Sequence, residues 1–301
     1  MATKSIGSRA VVLVPYLWLA FFFLAPFLIV AKISLSHDAV AQPPYRPLLD
    51  LAAGWDGMRA FLSQLDLANY ALVLSDALYI ESYLQSLWIA AVSTALLLLI
   101  GYPIAYAIAR APMSWRPLLV LLVILPFWTS FLIRVYAWIG ILSREGFLNQ
   151  ALMGLGLISE PLEILATNKA VYLGIVYSYL PFMVLPLYAV LEKLDETLLE
   201  AAADLGATPI RAFWQVTFPL SLPGVVAGSL LCFIPAVGEF VIPDLLGGSE
   251  TLMIGKTLWT EFAVNRSWTV SSAVAVLLLT VLVVPILFYQ RQQARAIEGS
   301  R

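Results

Sequence analysis

Two charged side chains stand where charge is costly. Arg134 lies inside the apolar run 118–142 and Glu239 inside the apolar run 223–246. A charged side chain at the centre of a bilayer costs about 2.5–3.5 kcal/mol on insertion scales, so each must face protein or water. Arg134 comes 16 residues after Leu118, and Glu239 comes 16 residues after Pro223. At about 1.5 Å per helical residue, both then stand ~24 Å from the same membrane face. Equal depth makes an Arg134–Glu239 ion pair one expectation. The other is that Glu239, with Asp244, lines the path of a cation, while Trp128 and Phe240 offer ring faces to it. The two expectations are not exclusive.

Other chemistry is missing from the sequence. It has no G-x-x-x-x-G-K-[ST] phosphate loop and no H-E-x-x-H. The single cysteine, Cys232, and single histidine, His37, supply neither a thiolate cluster nor paired imidazole ligands. A Ser-His-Asp triad would depend on His37, which has no supporting motif around it. No apolar run carries the chain of acids and histidines of a proton relay. The expectation is a transport component with no ATPase site and no metal or cofactor of its own, driven by another subunit.

The elements that must position these residues are legible from composition. Of 301 residues, 61% are hydrophobic and 12% charged, with a net charge of −2. That is too few charges to cover a soluble surface, and there is no basic excess for nucleic acid. The class is all-α polytopic membrane protein. Six spans are expected, at 11–36, 84–109, 118–142, 170–191, 223–246 and 270–290. The segments 1–10, 110–117, 192–222 and 291–301 carry nine Lys or Arg residues, including Lys4, Arg116, Lys193 and Arg301. The longer intervening loops carry six, so the expected topology is N-in and C-in. The apolar stretch 11–31 exceeds a signal peptide's h-region of about 7–15 residues, so it is read as a retained anchor. The first outer loop, 37–83, is long and acidic. Trp55, Phe61, Leu62 and Leu65 predict a short structured stretch in it, and its acids suit a docking surface or an acidic mouth for a cation. The expected organisation is anchor and loop (1–83), core (84–290) and tail (291–301).

The segment 192–222 is too polar to span lipid and is built for helix. Asp195 suits an N-cap, Glu196 a first turn, and Leu198, Leu199, Ala202 and Leu205 form one apolar face. Gly206 fits a helix C′ position. Thr208-Pro209 fits an N-cap followed by Pro at N1, starting a second short helix that Pro219 is expected to stop. Ala201, Ala202 and Ala203 are small enough to let a partner approach closely.

Here a resemblance enters. Glu200-Ala201-Ala202, then Gly206, then Val216-Thr217-Phe218-Pro219 resembles the E-A-A, three residues, G, nine residues, I-x-L-P loop of type I ABC-importer permeases. Val216 and Phe218 are apolar replacements for the usual Ile and Leu. The resemblance covers about residues 82–290. It implies that this loop is the coupling helix docking on an ATPase subunit, with Glu200, Ala201, Ala202, Gly206 and Pro219 carrying it. Pro126-Phe127-Trp128-Thr129-Ser130-Phe131-Leu132-Ile133-Arg134 and the stretch Pro235 to Gly248 are similar to polyamine-importer permeases, closest to the putrescine (PotH-like) type. Gly146-Phe147-Leu148-Asn149 also suits that subfamily.

The resemblance implies a second, related permease chain, two ATPase subunits that hold ATP and Mg, a periplasmic binding protein and residence in a bacterial inner membrane. Its implied cargo is putrescine or another polyamine. An amino-acid-like compound or an iron complex is the alternative within the class, and a stand-alone channel or secondary transporter the alternative outside it.

Overall fold

The computed structural model describes residues 6–298 except 49, 51 and 53. Lys4 and Arg301 lie outside the described residues. Among the described residues, four helices are long and apolar enough to cross a bilayer: Leu13–Ser34, Ala77–Arg110, Asn168–Leu191 and Pro209–Val237. A fifth candidate is a pair, Arg116–Trp128 and Phe131–Gly154, bent by 87°. A shorter apolar stretch, Trp268–Val283, lies within the helix Trp268–Glu298. The chain divides into two compact units, Met1–Ile80 with Thr257–Arg301, and Glu81–Lys256.

In the first unit, the span Leu13–Ser34 passes through a π-turn at Ala20–Leu24. None of its most apolar window is buried, as suits a helix solvated by lipid tails. The loop after it carries two short strands and two short helices. His37–Asp38 pairs antiparallel with Tyr45–Arg46, and the helices Gly54–Ser63 and Ala68–Ser75 follow. Phe61 is buried, as the sequence predicts, whereas Trp55 is exposed. Three acids of this loop, Asp38, Asp66 and Asp76, have structural roles. Asp38 accepts from Ser267 Oγ (2.7 Å) and Thr269 Oγ1 (2.8 Å). Asp66 and Asp76 each accept a backbone N–H two residues on (both 2.9 Å) and so start the next helices. Lys32 Nζ donates to the Pro47 carbonyl (2.7 Å) and lies 4.1 Å from the Tyr45 ring centre. Three of the six acids between residues 37 and 83 thus act as caps and staples.

In the second unit, the core gathers Leu97, Tyr102, Met183, Leu187, Val225 and Cys232 from three long helices. Glycine permits the convergence. A Cβ on Gly101 or Gly228 would come within 2.9 Å of the Met183 side chain, and one on Gly224 within 3.0 Å of the Pro186 carbonyl. Tyr102 and Ser221 share a buried hydrogen bond of 2.8 Å.

Three expected elements differ, one of them the run 223–246, whose helix ends at Val237 before a short helix Val241–Leu245. The run 118–142 is not one straight span but breaks after Trp128. Pro219 does not stop the second cytoplasmic helix, which runs from Pro209 to Val237. A π-turn at Phe213–Thr217 places the Phe218 N–H on the Phe213 carbonyl and so shifts the bonding register ahead of the proline. Pro219 then falls in the first turn of Phe218–Val237, where its missing N–H costs least.

Candidate functional site

The break after Trp128 exposes carbonyls. The helix Arg116–Ile124 tightens into a 3₁₀ turn at Leu125–Trp128, Thr129 and Ser130 are extended, and a new helix starts at Phe131. The last carbonyls of a helix have no intrahelical donor. Arg134 reaches back from the new helix to supply one. Its Nη1 donates to the carbonyls of Pro126 and Thr129 (3.0 Å to the latter). Its guanidinium carbon lies 5.0 Å from the Phe127 ring centre and 5.9 Å from that of Phe131. A cation at a helix C-terminus also has the sign the backbone dipoles favour.

The break after Val237 exposes amides. Gly238 ends the long helix and a short one, Val241–Leu245, follows. Glu239 Oε1 accepts from the N–H groups of Val241 (3.0 Å) and Ile242 (3.5 Å). Its Oε2 accepts from the Tyr179 hydroxyl at 2.6 Å. The carboxylate is buried, with 8% of the residue exposed. Gly255 packs against this break so closely that a Cβ there would meet the Gly238 and Glu239 carbonyls at 2.4 and 2.6 Å.

The expected Arg134–Glu239 ion pair is therefore corrected. Among the described residues no ion pair joins them. Each charge instead takes backbone partners within eight residues of itself. Such local closure orders less chain than bringing two helices into register. The two breaks are nonetheless linked by rings. Phe127, under Arg134, meets Phe182 edge-on at 5.3 Å, and Phe182 lies 6.0 Å from Tyr179, which bonds Glu239.

The other sequence-derived pathway residues divide between the two breaks. Trp128 is 70% exposed beside the first. Phe240 and Asp244 are exposed beside the second, and the Asp244 amide donates to the Phe240 carbonyl at 3.0 Å. Tyr179 was not singled out from the sequence. The signal available was that a buried acid needs a polar partner from another span. Asn149 has a larger role than its motif indicated. It is 1% exposed and bonds both the N–H and carbonyl of Leu162 (2.8 and 2.9 Å), which closes the loop 143–162.

In the segment 192–222 the turn at Gly206 and the helix start at Thr208-Pro209 form as their local signals predict, whereas Asp195 is not the N-cap and Pro219 is not a stop. The helix Thr197–Asp204 ends in a paired closure. Ala207 N–H donates to the Ala202 carbonyl (2.9 Å) and Gly206 N–H to the Ala203 carbonyl (2.8 Å), with Gly206 at φ +78°. This is a Schellman cap, with glycine in the left-handed conformation it tolerates. Thr208 Oγ1 accepts from Arg211 N–H (3.4 Å), and Pro209 opens the next helix. Asp195 lies one residue further out than the cap. Its carboxylate accepts the Thr197 N–H at 3.0 Å, and this bond, followed by the Thr197 hydroxyl, holds its pKa below the ordinary carboxylate value. Glu196 pairs with Arg110 (2.7 Å) and Glu192 with Arg116 (3.6 Å), tying the segment to neighbouring helix ends. Glu200 and Ala201 face outward and Ala202 is half-buried. Ala203 and Ala207 line a cavity of about 270 Å³ with Tyr106, Phe213 and Thr217 behind the hairpin.

Apolar helices that hold two charges against backbone groups at their breaks, together with an exposed helical hairpin between two of them, define a polytopic membrane protein. Comparison with known proteins agrees. Over 284 residues the chain is 39% identical to the spermidine/putrescine transport system permease protein PotB of Haemophilus influenzae, covering 94% of this chain and 93% of that one. It is 45% identical over 225 residues to PotB of Escherichia coli K12, covering 75% and 82%. Its fold matches a chain of the bacterial alginate ABC transporter, solved with a periplasmic protein bound to an alginate pentasaccharide. That match has a TM-score of 0.67 at 17% identity and covers 96% of this chain and 94% of that one. The chain belongs to the family of binding-protein-dependent transport system inner membrane components, whose profile matches residues 7–298. It is an ABC-importer permease of the inner membrane.

Proposed function

We propose that this permease moves a small organic cation of the polyamine class, putrescine or spermidine, inward across the inner membrane. The observation that carries the reading is the 39% identity to a spermidine/putrescine permease along nearly the whole chain. A buried carboxylate beside an aromatic wall supports it chemically, because an ammonium gains from both. Trp128, Glu239, Phe240 and Asp244 line the path in this reading.

The chain supplies half of the pathway. A second, related permease supplies the other half, two ATPase subunits bind ATP and Mg, and a periplasmic protein delivers the cargo. This chain carries no ATPase site and holds no cofactor. Glu200, Ala201, Ala202 and Gly206 present the hairpin to the ATPase, and Pro219 anchors the helix behind it. Six spans with both termini inside are supported by the charge bias of the loops, taking the bent pair and Trp268–Val283 as one span each. The organisation is anchor and outer loop (1–83), core (84–290) with the hairpin at 192–222, and a tail from 291.

The test is uptake by vesicles reconstituted with this chain and its three partner types. ATP-dependent putrescine or spermidine accumulation is expected. Uptake of a different solute with none of a polyamine would overturn the cargo. Reporter fusions at Arg116 and Lys193 should report the cytoplasm, and those at Asp56, Asn149 and Arg266 the outside. A cytoplasmic signal at Asn149 would break the six-span arrangement.

A further inference from the structure

Glu239 is buried, yet none of its hydrogen-bond partners is a cation. The one arginine at matched depth in the sequence is held by carbonyls at the other break. A buried charge left without an opposite charge is costly, and a group that brings one is correspondingly favoured.

The two oxygens of this carboxylate have separate jobs. Oε1 is committed to the fold through the amides of Val241 and Ile242. Oε2 has a single neutral partner, the Tyr179 hydroxyl, contributed by the helix Asn168–Leu191. The Tyr179 bond to the carboxylate is charge-assisted on one side only, whereas an ammonium also brings the opposite charge that the buried carboxylate lacks. An ammonium group can therefore replace the hydroxyl on Oε2 without disturbing the cap on Oε1. The rings of Tyr179, Phe182 and Phe127 continue from that point as an apolar surface, and the Arg134 guanidinium covers its far end. A cation is attracted to the Glu239 end of this wall and repelled from the Arg134 end.

We infer that Oε2 of Glu239 is the docking point for one ammonium group of the transported cation, with Tyr179 as the residue whose hydroxyl that ammonium displaces. The inference rests on the organic-cation reading of the preceding subsection. It adds a specificity-determining residue, Tyr179, and a direction, with the ammonium held at the Glu239 end of the aromatic wall.

The experiment uses the assembled membrane complex, purified without the soluble binding protein, and measures saturable binding of radiolabelled putrescine. Uptake by the wild-type complex with binding protein is measured in parallel. Tyr179→Phe keeps the ring and removes only the competing hydroxyl, so binding should tighten by about threefold to tenfold. A merely structural tyrosine would not give a gain. Glu239→Gln keeps a carbonyl oxygen for the two amides and removes the charge, so binding should weaken by at least about tenfold in a complex that remains monodisperse.

Unchanged or weaker putrescine binding by a monodisperse Tyr179→Phe complex overturns the inference. So does unchanged binding by Glu239→Gln, which decides the matter alone if the tyrosine variant fails to assemble. Wild-type uptake of putrescine with no saturable binding in the complex also overturns the inference and leaves the cargo reading standing. Failure of wild-type uptake itself, with another solute transported, removes the cargo reading and the inference with it.

Discussion

At the break after Trp128 the exposed backbone groups are carbonyls, and a guanidinium answers them. At the break after Val237 they are amides, and a carboxylate answers them. Both breaks interrupt apolar helices, where an unsatisfied backbone group costs several kcal/mol. In each case the charge is opposite in sign to the partial charge of the helix end it serves. The difference lies in what is left over. Arg134 spends its Nη1 donors on the fold and covers a ring face. Glu239 spends one oxygen on the fold and keeps the other for a tyrosine from a different helix. The first break leaves one guanidinium donor, the Arg134 Nε, buried without a partner, whereas the second retains a carboxylate oxygen that only a neutral group occupies. Two charges that look equivalent in the sequence are thus unequal in what they offer to a cargo.

The sharpest way to break this comparison is to exchange the charges. A direct ion pair would tolerate Arg134→Glu combined with Glu239→Arg. Partners that are backbone groups of fixed polarity would not, so the double variant should accumulate less folded protein in the membrane than either single one. Recovery to wild-type abundance would reinstate the pair.

A second test separates the two sites by severity. Arg134→Met removes the arginine's bond to the Thr129 carbonyl, at about 1–3 kcal/mol, while the Pro126 carbonyl keeps the Thr129 N–H and hydroxyl. Glu239→Gln still offers an oxygen to the two amides. The monodisperse fraction after extraction should fall severalfold for the first and little for the second. Equal losses would show that the carboxylate's charge, and not its oxygen, holds the second break.

The cytoplasmic hairpin provides a contrast of another kind, because its bend uses backbone conformation and no charge. Nothing lies within 4 Å of a Cβ built on Gly206, so a side chain there meets strain alone. Gly206→Val should cost about 1–3 kcal/mol locally, leave membrane abundance near wild type and abolish stimulated ATPase and uptake. Gly206→Asn, which tolerates the left-handed region better, should retain part of both. Full coupling in the valine variant would remove the hairpin from the coupling mechanism.

The smallest effect is expected at Asp195. Its folded pKa is depressed, so its contribution to the hairpin is complete above the unfolded value of about 3.9 and is lost as pH falls through the folded value. Amide exchange at residues 195–200 should be flat from pH 7 to 5, after correction for intrinsic rates, and should rise below about pH 4. Asp195→Asn, which still accepts the Thr197 amide, should remove the rise. Because the group is fully exposed, the effect is confined to local fraying.

How much was legible follows the distance over which each signal acts. Gly206 as a C′ glycine and Thr208-Pro209 as a helix start were readable because each is decided within about five residues, by conformational preference and an available side-chain oxygen. Membrane class and the places of the apolar runs were readable because they follow from composition alone. The Arg134–Glu239 pairing was misread because depth was counted along straight helices. The 87° bend after Trp128 invalidates that count and creates the carbonyls that claim the arginine. Pro219 was misread as a stop because a π-turn, which has no residue signature of its own here, shifted the register ahead of it.

The sequence by itself determined that this chain lives in a membrane, carries a small-residue hairpin between spans and must accommodate two charges within apolar runs. Only the tertiary structure decided which groups satisfy them. Backbone donors and acceptors become available where a helix breaks, and Tyr179 reaches Glu239 because Gly174, at which a Cβ would meet Ile242 and Leu246 at 2.8 Å, lets two helices close to contact.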